Sequence, residues 1–280
     1  MKKRILPTLL ACTLLLLTAC RNGTEQTNTG NRGSADHCSG NTVICTIFVN
    51  NPQNHWDFSR AEDASRRKQI CTYLGIACDY LQEQAEKYHR SLHFTYDFTA
   101  DDDLSDTYTT DLSYETEDWD MSLWKYIDAG IPADELLKKY KAENILFLTC
   151  MNTDETNTAI SSTRNWYADM PYPYEFISLY FVDSGEINAP AIYAHEILHC
   201  FGAPDLYAPD DEYGIGDSFV SWIGENSPND IMYTCSDLKT GEYAYDQITN
   251  EISDVTAYYI GWTDRCRAAE QAGLKQSQYQ

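Results

Sequence analysis

His195-Glu196-Ile197-Leu198-His199-Cys200-Phe201-Gly202-Ala203-Pro204-Asp205 is the stretch on which the reading of this chain turns. His195 and His199 are four residues apart, so on a helix they project from one face. Two imidazole nitrogens can then meet one metal ion at roughly 2.0–2.1 Å. Glu196 is rotated away from the pair, yet close enough to polarise a water at that metal. Upstream, Asn188 is placed as an N-cap and Pro190 in the first turn, and Ile192, Ile197, Leu198 and Phe201 supply apolar contacts. Gly202 falls three residues after His199, where a helix stops in a left-handed turn that glycine adopts cheaply, and Pro204 keeps the helix from resuming. The chain must reverse, which can bring Asp205 back as a third ligand through a carboxylate oxygen. The bland alternatives are two exposed histidines and a turn-forming aspartate.

Away from this stretch, residues 43–49 read as a first strand and 60–88 as a long helix, with Ile70, Leu74, Ala77, Leu81, Ala85 and Tyr88 at helical spacing. Residues 92–98 alternate as a half-buried strand, 133–142 look helical, and 145–150 and 174–182 are apolar or aromatic strands. Residues 97–120 hold ten acids and no base, a solvated loop or insertion. Calcium is the sharper alternative there, but Asp101-Asp102-Asp103 lacks the spaced ligands and turn glycine of an EF-hand loop. Residues 206–230 read as loop, 250–262 as a last helix, and the polar tail of 267–280 as frayed. Strands alternating with helices, then an irregular end, predict a mixed α/β or α+β layer followed by a loop-rich lobe, with the metal in the cleft between them.

The first residues read as a leader. Lys2, Lys3 and Arg4 precede an apolar run over 5–17, and Leu17-Thr18-Ala19-Cys20 follows, which resembles a bacterial lipobox. That resemblance implies a signal peptide over 1–19, lipidation of Cys20 and a flexible tether over 20–41, with an ordinary secretory signal as the alternative. The run is short for a ~30 Å hydrocarbon core, so it is not read as a spanning helix. The formal net charge is −23, and becomes −26 once the three basic residues of 1–19 are removed. Such a charge argues against nucleic acid and against direct adsorption to anionic lipid. The 21 tyrosines and 6 tryptophans set it apart from a disordered acidic chain. Besides Cys12 and Cys20 there are eight cysteines, an even number that favours disulfides in an exported protein. Cys71 and Cys78 are too far apart on one helix to bond to each other. No Cys-x-x-Cys is present, so a cysteine metal site is not expected. Cys200 is expected to be a disulfide partner or a buried filler, with Cys235 as its partner. His37, His55, His89 and His93 lack ligand spacing.

The run 195–205 resembles the signature of the metzincin peptidases, His-Glu-x-x-His-x-x-Gly-x-x-His/Asp. Its aspartate form, with Gly-Ala-Pro-Asp-Leu-Tyr at 202–207, is similar to snapalysin-type and immune-inhibitor-A-like secreted bacterial proteases. The similarity covers roughly 188–233 and extends to Asp230-Ile231-Met232-Tyr233, which looks like the Met-turn of that family. It is weaker around Ile260-Gly261-Trp262, and the first half of the chain matches by element order only. The resemblance implies a zincin catalytic domain over 42–266, with an upper lobe of 42–201 and a lower lobe of 202–266. It implies one catalytic Zn2+ held by His195, His199 and Asp205, with Met232 as structural support. Glu196 would be the general base, drawing a proton from a metal-activated water of pKa near 7.

Two departures leave alternatives open. Several metzincins place a tyrosine two residues after the methionine, and here that position is Thr234, so Tyr207 and Tyr233 are the alternatives for oxyanion donor. Asn250-Glu251-Ile252-Ser253-Asp254 resembles the thermolysin-like Asn-Glu-x-x-Ser-Asp but is one residue short, which makes Glu251 the competing third ligand. The function expected is a lipid-anchored, extracytoplasmic zinc endopeptidase acting on protein or peptide, with the strand 174–182 as an edge for extended substrate. Membrane contact would be through the lipid alone, and nucleic acid is not expected as a partner. The alternatives are a silent zincin-scaffold lipoprotein that binds rather than cleaves, and a zinc amidohydrolase of a non-protein amide.

Overall fold

A computed structural model describes residue 35 and residues 38–157, 162–165 and 172–274. The signal peptide, Cys20, His37, nearly all of the tether and the last residues of the tail lie outside the described residues. No helix among them is long and apolar enough to cross a membrane.

The core grows from two largely apolar, buried strands. β1 (Gly40–Asn50) is buried from Val43 onward, and β4 (Asn144–Met151) is buried throughout. Continuous burial on both faces is the mark of a central parallel strand, and the two pair in parallel with Val43 opposite Ile145 and Val49 opposite Met151. β2 (Leu92–Thr95) pairs with the first part of β1, and β3 (Ser105–Thr109) with its last part. On the other side, β6 (Phe176–Tyr180) runs parallel to β4, and β5 (Thr163–Asn165) closes that side antiparallel. The strand order is therefore β2–β1–β4–β6–β5, with β3 also on β1. The mixed sheet expected from the sequence is present, and most of its pairings are parallel.

α1 (Ala61–Lys87) is the long helix, and Ile70, Leu74, Ala77, Leu81 and Ala85 form its buried stripe. It packs against α4 (Pro190–Cys200), with the rings of Tyr73 and Tyr193 edge to face at 6.3 Å. α2 (Trp119–Gly130) and α3 (Ala133–Tyr140) lie between β3 and β4 in the chain. β7 (Val182–Asp183) and β8 (Glu186–Ile187) form a short hairpin before α4. α5 (Asp217–Asn226), α6 (Asp254–Tyr259) and α7 (Arg267–Ala272) complete the chain. One hydrophobic cluster runs from Ala35 to Leu274, so 42–201 and 202–266 share a single core.

Several expectations are corrected. Residues 206–230 are not all loop: α5 buries Phe219 and Ile223. Gly224 disguised it, since glycine weakens a helix interior. The space a Cβ would need there is taken by the Tyr233 hydroxyl, 2.7 Å from that position. The acidic segment is not merely a loop: it contains β3 and the start of α2. Its Asp101 and Asp103 face the Lys139 ammonium at 2.9 and 2.6 Å, where the calcium alternative placed a metal. The last helix is shorter than expected, because the Ser253 hydroxyl caps α6 at Val255 N–H. Residues 267–274 do not fray, since α7 buries Ala269 and Leu274 follows it into the core. Within 174–182, β6 lies between β4 and β5 and is not an edge. All eight cysteines from Cys38 to Cys266 are free thiols.

Candidate metal centre and cleft

α4 starts at Pro190 with Ala189 as N-cap, one residue later than expected. Asn188 lies one residue before the cap, and its side-chain amide donates to Tyr180 O and Ser162 Oγ. The helix is buried on nearly every side, Glu196 and His195 included. At its end the chain turns as anticipated. Gly202 has φ +95°, its N–H reaches His199 O, and Ala203 N–H reaches back to Leu198 O. These two bonds are the helix-ending pattern that a left-handed glycine permits.

That turn orients one histidine and the segment 230–233 orients the other. His199 Nδ1 lies 2.7 Å from Ala203 O, and His195 Nδ1 lies 2.9 Å from Ile231 O. A carbonyl oxygen only accepts, so each Nδ1 carries the proton, and each neutral ring presents its Nε2 lone pair. The two Nε2 atoms are 3.0 Å apart. Asp205 Oδ1 lies 3.1 Å from His195 Nε2 and 3.2 Å from His199 Nε2.

Three electron-pair donors therefore converge on one point and require a positive charge there. A proton is one answer. Burial disfavours a charged His195, but Cys235 and the Asp205 carboxylate outweigh it and push the imidazole well above its usual value. Burial likewise raises Asp205, but the two imidazoles prevail and hold its carboxyl far below the carboxylate range. A metal ion is the other answer. His195, Glu196 and His199 offer ligand atoms within 4.8 Å of one another and could hold one. Glu196 is 5% exposed, with Oε2 free of any hydrogen-bond partner. Burial raises its carboxyl, partly offset by His199 and His195.

Asp205 is fixed by its neighbour: Leu206 N–H donates to Met232 O at 2.9 Å. Met232 itself is fully buried. Asp230 organises this turn, a role that its sequence neighbourhood alone does not assign. It is fully buried, and its Oδ1 accepts from Met232 N–H while its Oδ2 accepts from Ser253 N–H. The Thr256 hydroxyl lies 2.8 Å from both oxygens. Burial raises its carboxyl, and these donors offset part of the rise. The available signal was its place two residues before Met232, the spacing at which an aspartate accepts from the chain ahead.

The competing residue Glu251 is not brought to the cluster. Its side chain is exposed, while its backbone pairs with Asn229 O and Ile231 N–H in a parallel bridge. Cys200 and Cys235, expected to bond, have different neighbours. Cys200 is buried beside the Arg164–Glu175 ion pair, where burial and then Glu175 push its thiol up. Cys235 lies against Ala191 O and Ile231 O. His55, His89 and His93 are exposed.

A cleft of about 310 Å³ opens onto His195 and Glu196, lined also by Asp183, Tyr207, Tyr233 and Cys235. Tyr207 is 55% exposed, and its ring stacks on His195 with centroids 6.4 Å apart. Its hydroxyl is pushed up to about 12, by burial first and then by Asp205. No family model and no curated protein matches the chain.

Proposed function

We propose that the protein is a zinc-dependent endopeptidase, held outside the cytoplasm by a lipid on Cys20. The observation that carries the reading is the convergence of His195 Nε2, His199 Nε2 and Asp205 Oδ1, 3.0–3.2 Å apart, beside an unpartnered buried carboxylate. Tetrahedral zinc with bonds of ~2.0–2.1 Å separates its ligand atoms by about 3.3 Å. Of the two triads that share the histidines, the one with Asp205 is the tighter, which leaves Glu196 free for proton transfer. When bound, the metal polarises the substrate carbonyl and acidifies water.

The remaining chemistry belongs to side chains. Glu196 takes a proton from the attacking water and passes it to the departing nitrogen, and its burial makes it a stronger base than an exposed glutamate. Ala203 O and Ile231 O keep the histidine rings in one tautomer and orientation. Tyr207 is the better placed of the two tyrosines to donate to the developing oxyanion, because the Tyr233 hydroxyl sits against Gly224.

Metal analysis and peptide-library digestion test this reading. One equivalent of zinc and cleavage of peptides are expected from the wild-type chain. Glu196→Ala is expected to keep the zinc and lose cleavage by at least about 10²–10⁴-fold, the share that general base catalysis supplies. Unchanged cleavage in that variant would refute the assignment. Zinc binding with no cleavage of any pool would favour the binding-protein alternative.

A further inference from the structure

The wall of the cleft carries negative charge that nothing in the protein's described part neutralises. β7 and β8 place Asp183 directly opposite Glu186. Like charges facing each other across paired strands oppose the pairing. Neither carboxylate forms an ion pair among the described residues. The turn between them is tight, with Ser184 at φ +51° and Gly185 at φ +88°, so a non-glycine residue occupies the left-handed region to close it. Asp183 is held by neutral donors, the Ser162 N–H on one oxygen and the Ser184 hydroxyl on the other. These donors orient the carboxylate and leave its charge in place.

Asp183 shares the cleft with Glu196, and among the described residues no lysine or arginine lines it. The field reaches across the space. Tyr243, on the cleft wall, is raised by burial first, then by Cys235, Asp183 and Glu186. The buried Glu196 Oε2 has no partner. A formal charge of −23 over the chain draws cations toward the molecule from a distance.

We propose that the cleft selects substrates with a cationic side chain, lysine or arginine, close to the bond that is cut, with Asp183 as the near partner of that charge and Glu186 as the outer one. This rests on the reading of the cleft as a hydrolytic site, and the test separates the two. Zinc-loaded Glu196→Ala full-length protein is titrated into three labelled peptide pools that differ only in carrying Lys, Gln or Glu at the varied positions. Anisotropy is expected to show the Lys pool bound roughly five- to tenfold more tightly than the Glu pool, with Gln between. Raising the salt should narrow the gap. Adding Asp183→Asn should cut the preference to twofold or less, and Glu186→Gln should cut it in part. The second variant lies on an exposed side chain, so it reports even where Asp183→Asn disturbs the hairpin. Equal binding of the pools, preference for Glu, no binding of any pool, or a preference intact in both variants would overturn the proposal. Lys preference in binding, with no cleavage by zinc-loaded wild type, would instead overturn the peptidase reading and leave the charge selectivity standing.

Discussion

The two halves of this molecule share one apolar core but differ in what fixes the course of their chains. In the sheet, β1 and β4 bury nearly every side chain, and any apolar residue of the right volume would serve much of that purpose. Beyond α4, the segments that complete the cleft carry little regular structure and are fixed by individual buried polar groups. Asp230 ties the turn at Met232 to α6. Asn250 donates to Thr234 O and Ser236 O on the cleft wall. Arg90 reaches Trp262 O from the end of α1. Apolar packing sets where layers lie, whereas directional bonds set where single atoms lie. A metal site needs its atoms placed to a fraction of an ångström, so the polar half carries the precision.

Three measurements bear on this contrast, the first with the greatest effect. The first is metal affinity. Asp205→Ala should weaken zinc binding well beyond the 10–100-fold cost of losing a group that only orients a ligand. Glu251→Ala should leave it unchanged, because that side chain is exposed and only its backbone is used. The reverse outcome in a competition titration would remove the assignment of the third ligand.

The second compares one pin with one packing residue. Asp230→Ala strands Met232 N–H, Ser253 N–H and the Thr256 hydroxyl, at a cost of about 3 kcal/mol for buried donors without acceptors. Because Ile231 O orients His195, the folded fraction should also lose about 10–100-fold in zinc affinity. Leu148→Ala in β4 should cost a similar 2–5 kcal/mol by leaving a cavity, yet keep its zinc affinity. If both variants lost metal alike in urea titrations paired with zinc competition, the division of labour would not hold.

The third is a pH effect beneath α4. Glu175 is fully buried beside Arg164 and Cys200, and burial, outweighing Arg164, pushes its carboxyl up to about 7. A group raised on folding contributes stability that is fully present below its unfolded value and lost as pH rises through its folded one. The contribution from Glu175 should therefore decline from about pH 4.5 to about pH 7. The difference in unfolding free energy between wild type and Glu175→Gln should slope across that window and flatten outside it. A pH-independent difference would show that the ion pair keeps Glu175 charged throughout.

Much of this arrangement was legible because it is local. The four-residue step from His195 to His199, the Gly202 stop and the buried runs of β1 and β4 are all properties of short windows. What was missed depends on partners distant in the chain. β3 sits in an acidic segment with no strand signal, and it forms because β1 has a free edge over Thr46–Asn50. α5 tolerates Gly224 because Tyr233 fills the gap. Asn188 has the right type for a cap, but α4 starts one residue later and the cap position falls on Ala189.

Helical spacing alone puts two histidines and a glutamate on one helix, and dihedral preferences make that helix stop and reverse, since both act within a few residues. The sequence left two carboxylates competing for the third place. In the folded chain the two are set apart: Leu206 N–H on Met232 O holds Asp205 within 3.2 Å of both histidines, while the backbone bridge leaves the Glu251 side chain at the surface. The reason is geometric: a ligand's reach is set by where its backbone is pinned, and the pins come from residues 20 to 26 positions away in the chain, which no local pattern encodes.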